Sequence, residues 1–335
     1  MTELAIRWFA PHDGFRPMER ELAQRGVRIQ GSGERRAEVA LAMGDPVAED
    51  AWTWSRQHHT PLVLYLWDLP PWAVGPRNYH PVIAIGGRLL ALPWPGRGNR
   101  TRSRHFSRLR WIVHRAREVW VPSQSTADVV ESRFGAGSVI VPYGIDTGFF
   151  SADPVVIRDP FTLVCVAPLL PHGNHAALVR AAARAEAKFR LRFLGQGPER
   201  PGLEALAADL GIVCSFEPDA SPAARRAAFR AAGAVICPSR YEGFGAAALE
   251  AMACGAPIVA SDIPAHREIL GSWAHYFGLD DDIALAGAIR AAGAQPGRGS
   301  GWLERYTLAS AAERFAAELS RVTAAAASAA RPGGH

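Results

Sequence analysis

The chain has 335 residues, and its sequence is short of long apolar runs, cysteine and lysine. No apolar run approaches the roughly 20 residues that a membrane-spanning helix needs, and the first residues lack the pattern of a signal peptide. From these absences we predict neither a transmembrane helix nor export. They lead to the expectation of a cytoplasmic protein.

The four cysteines are the next scarce feature. They lie in apolar surroundings and show no paired spacing, so neither a disulfide framework nor a zinc site is predicted. Buried thiols in a reducing compartment are the expectation for all of them. The four are Cys165, Cys214, Cys237 and Cys254.

Lysine is nearly absent, since Lys188 is the only one among 37 basic residues. Residues 1–150 have 19 arginines and 14 acidic residues, a net charge of +5, whereas residues 151–335 have 18 of each sign and no net charge. The positive charge of the chain therefore belongs to its first half.

A chain of this length exceeds one comfortable hydrophobic core, which predicts two domains of about 150 residues each. Apolar runs alternate with helical periods in both halves, and this alternation is typical of a doubly wound parallel sheet. We expect Rossmann-like domains at residues 1–150 and 151–323, followed by a disordered tail at 324–335. A last helix is predicted from Trp302 to Thr323.

Residues 238–262 form the most informative stretch of the chain. Apolar strands are predicted on both sides of it, and a Gly-Phe-Gly turn opens an alanine-rich helix. The free N–H groups at a helix start attract anions. Glu242 precedes the turn, and Glu250 lies about two helical turns further on. An anion site flanked by two carboxylates suits a ligand with phosphates and several hydroxyls, which indicates a sugar nucleotide.

This stretch resembles the nucleotide-sugar site of retaining glycosyltransferases of the GT-B fold, family 4 type, also called glycosyl transferases group 1. The resemblance implies two Rossmann-like domains that face each other across a cleft, with the last helix crossing back to the first domain. It also implies that Glu242 faces the donor sugar, that Glu250 accepts hydrogen bonds from the ribose, and that the backbone of Gly243, Phe244 and Gly245 contacts the sugar. The alternative is an ordinary strand, turn and helix with solvated glutamates.

The sequence departs from this family where two cations usually clamp the donor diphosphate. Proline (Pro168) stands at the arginine position and glycine (Gly173) at the lysine position. Three explanations stay open: another cation substitutes, helix termini hold the donor, or the protein is a binding-only relative. We favour substitution by Arg240, by His172 or by an arginine of the first domain, and we include Asn174 among the expected donor contacts.

Two loops of the first half contain further polar candidates. The loop at residues 11–15 is expected beyond the end of the first strand, where ligands bind in such sheets. His12 is a candidate catalytic residue there. Asp13 either contacts the acceptor or only caps the helix at residues 16–24. Asp68 follows another strand end and is a third candidate catalytic residue.

Residues 88–117 contain nine arginines and no acidic residue, with aromatic side chains between them. Such a run is often a solvated helix face. Arginines with aromatics also suit a phosphorylated acceptor, and Arg100, Arg102, Arg104 and Arg108 are the candidate acceptor contacts. Gly96, Gly98 and Asn99 predict that part of this segment is a flexible loop.

The function expected from these features is transfer of a sugar from a nucleoside diphosphate sugar to a hydroxyl acceptor, with retention and with neither metal nor cofactor. The acceptor is expected to be anionic: a membrane lipid head group, a saccharide or a nucleic acid. Two alternatives stay open, a DNA-modifying glycosyltransferase that acts on a hydroxylated base and a catalytically silent sugar-nucleotide-binding relative. A lipid acceptor implies peripheral attachment at the inner membrane surface.

Overall fold

A computed structural model describes most of the chain. The backbone alone is described at residues 45, 82–85, 88–91, 97–103 and 329. The described residues are 4–10, 15–30, 34, 36–67, 69, 82–85, 88–91, 97–185, 188–292 and 301–329. They form two compact units. The first takes described residues up to 69, from 97 to 144 and from 304 onward, and the second takes residues 145–303 together with a short hairpin.

The first unit is built on a six-stranded sheet in which every neighbouring pair is parallel. Its strands are β1 (Leu4–Phe9), β2 (Val27–Ile29), β3 (Val39–Met43), β4 (Leu62–Tyr65), β7 (Glu118–Val121) and β8 (Val139–Ile140). The spatial order is β2-β1-β3-β4-β7-β8. All residues of β3 and β4 are buried, as expected for parallel strands covered on both faces.

Five helices cover this sheet: α1 (Arg16–Gln24), α2 (Ala48–His58), α3 (Arg97–Val113), α4 (Gln124–Phe134) and α11 (Leu308–Ala329). Right-handed crossovers between parallel strands place α1 on one face and α2, α3 and α4 on the other. Helix α3 includes Gly98 and Asn99. The expectation of a flexible loop is therefore wrong at these two residues, and Gly96 lies outside the described residues.

The final helix, α11, has 22 residues and packs with α1 against the first sheet. Its buried side chains join the same hydrophobic core as β1, β3 and β4. The helix therefore belongs to the first unit, as expected for a last helix that crosses back to the first domain, although the range 151–323 included it in the second. Residues 324–329 continue the helix, which corrects the predicted disordered tail there; residues 330–335 lie outside the described part. No helix in the described ranges combines the length and the apolar character that a membrane span requires.

The second unit contains another six-stranded sheet, again with parallel neighbours throughout. Its strands are β9 (Asp159–Val166), β10 (Arg190–Leu194), β11 (Val213–Glu217), β12 (Ala232–Cys237), β13 (Ile258–Ser261) and β14 (Ala274–Phe277). The order β11-β10-β9-β12-β13-β14 reverses direction between β9 and β12. In open α/β sheets, ligands bind beyond the carboxyl ends of the strands at such a reversal.

The helices of the second unit are α5 (His175–Arg184), α6 (Arg200–Asp209), α7 (Pro222–Ala231), α8 (Ala246–Ala253), α9 (Pro264–Leu270) and α10 (Asp282–Ala291). A separate antiparallel pair, β5 (Val82–Ile85) with β6 (Arg88–Ala91), groups with this unit. The apolar run at residues 82–85 thus forms a strand of an antiparallel hairpin and not of a parallel sheet. The two parallel sheets confirm the predicted α/β fold class.

The core position of Phe315 gives a test of the α11 contact with the first sheet. Its side chain is fully buried, and its ring lies 5.1 Å from that of Tyr65 and 5.7 Å from that of Trp120. We expect Phe315→Ala to lower the free energy of unfolding of the first unit by about 3–5 kcal/mol, because it leaves a cavity in that core. Urea denaturation followed by tryptophan fluorescence measures the change. The control is Phe161→Ala, a half-exposed phenylalanine of the second unit; an equal loss in both variants would contradict the assignment of α11 to the first core.

Candidate functional site

The candidate site lies within the second unit, where the sheet order reverses. The loop after β9 and the loop after β12 leave neighbouring strands at the same edge of the sheet. The first loop contains His172 and Asn174, and the second contains Arg240 and Glu242. Sequence positions about 70 residues apart are thus brought together by the strand order alone.

The Gly-Phe-Gly turn leads from the second loop into α8. Gly245 has a φ of +86°, a conformation that L side chains rarely adopt, and a Cβ there would lie 2.6 Å from Ile269 Cδ1. No side chain caps the start of α8. The first N–H groups of this helix are therefore available to an anion, as the sequence predicted.

Glu242 lies near two cysteines, the buried Cys165 and the partly buried Cys237, one from each of the strands that flank the reversal. Burial, and after it the charge of Glu242, raises the pKa of Cys165 to about 12. Burial, Cys165 and Glu242 raise the pKa of Cys237 as well. Burial raises the pKa of Glu242 itself above the ordinary value of a glutamate, and a hydrogen bond from the Ser239 side chain opposes that rise. A desolvated carboxylate in this position is a strong acceptor for a ligand hydroxyl.

Glu250 is buried on α8 and is held by an arginine that the sequence reading missed. Arg225 Nε donates to Glu250 Oε2 and Arg225 Nη2 to Glu250 Oε1, both at 2.7 Å. Burial raises the pKa of Glu250, and the guanidinium opposes the rise. Each carboxylate oxygen keeps a further lone pair, so Glu250 can still accept a hydroxyl. Arg225 also donates to the carbonyl of Ala220, 2.7 Å away.

Three predicted donor contacts meet at Arg240. The Arg240 backbone N–H donates to the His172 carbonyl at 2.7 Å, and Arg240 Nη2 lies 3.3 Å from Asn174 Oδ1. The guanidinium also forms a forked ion pair with Asp280, with Nη1 3.0 Å from Oδ2. Asp280 was not predicted. Because its side chain is 68% exposed, this pair is weak and open to exchange with another anion.

His172 does not supply the missing phosphate-binding charge. Burial lowers its pKa to about 4; the neighbouring His175 acts in the same direction and Glu199 opposes it. The imidazole is therefore neutral at pH 7, and His172 is not a substitute cation under that condition. It can still take part in hydrogen bonds.

The glycine at the family's lysine position is fixed by packing. A Cβ on Gly173 would lie 2.2 Å from Cε1 of the fully buried His175. The His175 ring packs edge-on against Phe193, and its Nδ1 lies 3.6 Å from Glu199 Oε2. Any side chain at position 173 would have to displace this ring. The packing of His175 therefore leaves no room for a lysine at position 173.

A buried serine and histidine support the loop that carries Arg240 and Glu242. Ser261, at the end of β13, donates from Oγ to the carbonyl of Ser239 at 2.5 Å. His266 Nδ1 lies 3.0 Å from the Ser261 carbonyl, and burial lowers the His266 pKa to about 4. His266 Cδ2 is also 3.9 Å from where a Cβ on Gly245 would stand. Neither residue was predicted, although Ser261 lies within the stretch at residues 238–262 and His266 follows it closely.

The candidates in the first unit are placed less completely. His12, Asp13 and Asp68 lie outside the described residues. Arg100 and Arg102 belong to α3, where only the backbone is described. The last two candidates, Arg104 and Arg108, are exposed on α3 beside α2, and Arg108 Nε lies 3.3 Å from Glu49 Oε1. Across the part of the chain that the structure describes, no group of three or more His, Cys, Asp or Glu side chains could hold a metal ion.

Comparison with known proteins bears on this site directly. Residues 149–296 match the family described as "Glycosyl transferases group 1". D-inositol 3-phosphate glycosyltransferase of Acidothermus cellulolyticus is 35% identical over 147 residues, which are 37% of this chain and 33% of the relative. The match thus spans about a third of that relative's length.

Solved structures resemble the chain over nearly its whole length. Anabaena HepE, solved in complex with UDP and glucose, has a TM-score of 0.67 and 15% identity, and the match covers 97% of this chain and 99% of that one. Sucrose-phosphate synthase of Thermosynechococcus elongatus has a TM-score of 0.68 and 16% identity, with coverage of 97% and 98%. These likenesses confirm the predicted GT-B fold, and residues 149–296 are similar to the glycosyl transferases group 1.

The raised pKa of Glu242 predicts how the thermal stability of the protein changes with pH. Because the folded-state pKa of Glu242 is raised, the wild type loses stability as the pH rises from the unfolded glutamate value through the folded value. Glu242→Gln carries no charge and keeps an oxygen for Ser239. We expect the variant to melt a few degrees above the wild type at pH 8, and the gap to close as the pH falls towards 4. Thermal unfolding across this range measures the difference.

Glu204→Gln is the matched control, since Glu204 is an exposed glutamate on α6 of the same unit. It removes the same charge and should leave the melting temperature nearly unchanged at pH 8. A Glu242→Gln variant that melts below the wild type at pH 8 would show that the charge is stabilising, contrary to this interpretation.

Proposed function

We propose that this chain, whose residues 149–296 are similar to the glycosyl transferases group 1, transfers a sugar from a nucleoside diphosphate sugar to a hydroxyl acceptor. One observation carries the proposal: the uncapped start of α8, reached through the positive-φ glycine Gly245, lies between the carboxylates Glu242 and Glu250 at the sheet reversal. Such a site can bind an anion at the helix start and can accept hydrogen bonds from ligand hydroxyls at the two carboxylates.

The diphosphate of the donor would lie at the start of α8. Helix N–H groups supply hydrogen bonds and a partial positive charge there. Arg240 is the cation best placed to join them, because its partner Asp280 is exposed and exchangeable. Glu250, held in place by Arg225, would accept the ribose hydroxyls. HepE, which shares the fold, has been solved with UDP-glucose, which supports a donor of this class.

Glu242 would orient the donor sugar. Its desolvated carboxylate accepts a sugar hydroxyl more strongly than a solvated one would. In the transfer, the bond between the anomeric carbon and the phosphate oxygen breaks, and the acceptor oxygen forms the new bond on the same face of the sugar. Because the new bond forms on the same face, the stereochemistry at the anomeric carbon is retained. The departing diphosphate takes the acceptor's proton. The site contributes alignment and electrostatic stabilisation.

The acceptor that we propose is a small anionic polyol or saccharide. The first half of the chain has an excess of arginine over acidic residues, as a protein that binds an anionic acceptor would need. A relative that is 35% identical over 147 residues is named for D-inositol 3-phosphate, which is both a polyol and an anion. Lipid-linked and nucleic-acid acceptors also have a negative charge and are the alternatives.

A second candidate function is binding without transfer, and two specific observations favour it. The packing of His175 against Gly173 excludes a lysine from the phosphate side of the site. The remaining cations of the site, Arg225 and Arg240, are both paired with carboxylates. A protein that senses sugar nucleotides would need no more than this.

Donor binding is tested by thermal shift with UDP, GDP, ADP, CMP and dTDP. We expect one nucleotide at a hundredfold excess over its Kd to stabilise the wild type by about 2.7 kcal/mol. Glu250→Ala should lose most of this shift because the ribose contact is removed, and the exposed Glu204→Ala should keep it. No shift with any nucleotide, or an equal shift in Glu250→Ala, would contradict the proposed donor site.

Slow hydrolysis of the donor without acceptor separates the two candidate functions. A transferase should release free sugar from the nucleotide sugar that it binds, and Glu242→Ala should reduce that rate by roughly 100-fold if the carboxylate aligns the sugar in the transition state. Nucleotide release quantified by chromatography measures it. Binding of the nucleotide with no hydrolysis in the wild type would move the binding-only function to first place.

A further inference from the structure

A pocket of about 480 Å³ lies on the first unit, and none of its lining residues belongs to the donor site. It forms between two helices of the same sheet face. The pocket is lined by Trp52 of α2 and by residues on one face of α3, which are three or four positions apart: Arg104, Ser107, Arg108 and Trp111. The two indoles meet at 80° with ring centroids 5.0 Å apart, so that they form a corner.

Guanidinium groups surround this corner. Arg108 and Arg104 belong to the lining, Arg115 Cζ lies 4.3 Å from the ring centroid of Trp111, and Arg56 Cζ lies 6.0 Å from that of Trp52. Glu49 faces Arg108 across the helix pair, but both side chains are more than half exposed. An exposed pair of this kind exchanges readily for another anion.

The other side of α3 shows which kind of ligand fits. Leu109, Ile112 and Val113 are buried against the unit's core, so the apolar stripe of the helix is already used. A helix that lies in a membrane interface needs a free apolar face, which α3 does not offer in this part. The apolar surface that is accessible, with Trp111 40% exposed, lines a shallow, open pocket with a volume in the range of small-molecule sites.

We propose that this pocket binds a phosphorylated or carboxylated sugar. The indole corner would pack against the C–H faces of the sugar ring, the Ser107 hydroxyl would bond a ring hydroxyl, and Arg104 with Arg108 would pair with the anionic group. The pocket belongs to one unit and contains no donor-site residue. The proposal therefore stands independently of the transfer reaction, as a second saccharide site on the protein.

The test uses the full chain in saturating UDP, with tryptophan fluorescence and calorimetry as readouts. Glucose 6-phosphate is the probe, with glucose and inorganic phosphate as the neutral and ion-only comparisons. We expect saturable binding of glucose 6-phosphate, at least about tenfold tighter than either comparison, because both halves of the pocket are then engaged. Arg108→Gln and Trp111→Ala should each weaken it about tenfold or more.

Arg110→Gln is the matched control, since it removes the same charge from an exposed position of α3 that does not line the pocket. It should change the affinity less than about twofold. Circular dichroism melting confirms that the variants are folded. Glu250→Ala, which tests the donor site, should keep full affinity for glucose 6-phosphate, so that failure of the pocket and failure of the donor site are separable.

Three results would overturn the proposal. Equal losses in Arg108→Gln and Arg110→Gln would show general charge attraction. Phosphate binding as tight as glucose 6-phosphate would show a simple anion site without sugar recognition. Absence of sugar-phosphate binding together with tight, Arg108-dependent binding to phosphatidylglycerol vesicles or single-stranded DNA would assign the surface to a membrane or to a nucleic acid.

Discussion

The desolvated carboxylate of Glu242 is the feature on which the site of the second unit depends. It lies near the thiols of Cys165 on β9 and Cys237 on β12, and burial there raises its pKa. A charge in such a place costs stability unless a ligand completes its hydrogen bonds. Ser261 donates a hydrogen bond to the Ser239 carbonyl of the surrounding loop, and His266 lies against the Ser261 carbonyl. The carboxylate thus lowers the stability of the free protein and is already in place to accept hydrogen bonds from a ligand.

The positive charges of this site are arranged differently from what the sequence comparison led us to expect. Arg225 and Arg240 each form a forked pair with a carboxylate, one with the buried Glu250 and the other with the exposed Asp280. Only the second pair can open at low cost, because only its carboxylate is well solvated without the arginine. Diphosphate binding would therefore act through an exchange at Arg240, while the pair of Arg225 with Glu250 stays closed. Substitution of the lost clamp by helix N–H groups and one exchangeable arginine is consistent with this geometry.

Local features of the sequence were sufficient for most strands and for the glycine turn, since each depends on neighbours within about ten residues, and they singled out the two glutamates as candidates. Gly245 is an example, because a glycine between a strand and an alanine-rich helix has a specific backbone role. The missed residues depend on distant packing. Arg225 reaches Glu250 on another helix, and Asp280 reaches Arg240 from the loop before α10. No spacing in the sequence indicates such pairs. Likewise, α2 and its Trp52 gained a role only through their neighbour α3.

The most direct test of this account is a crystal structure of the full chain in complex with UDP. The account predicts that the phosphates lie against the N–H groups at the start of α8, that Glu250 accepts the ribose hydroxyls, and that Arg240 leaves Asp280 for a phosphate oxygen. UDP bound elsewhere, or phosphates placed away from α8 while Arg240 stays paired with Asp280, would contradict it.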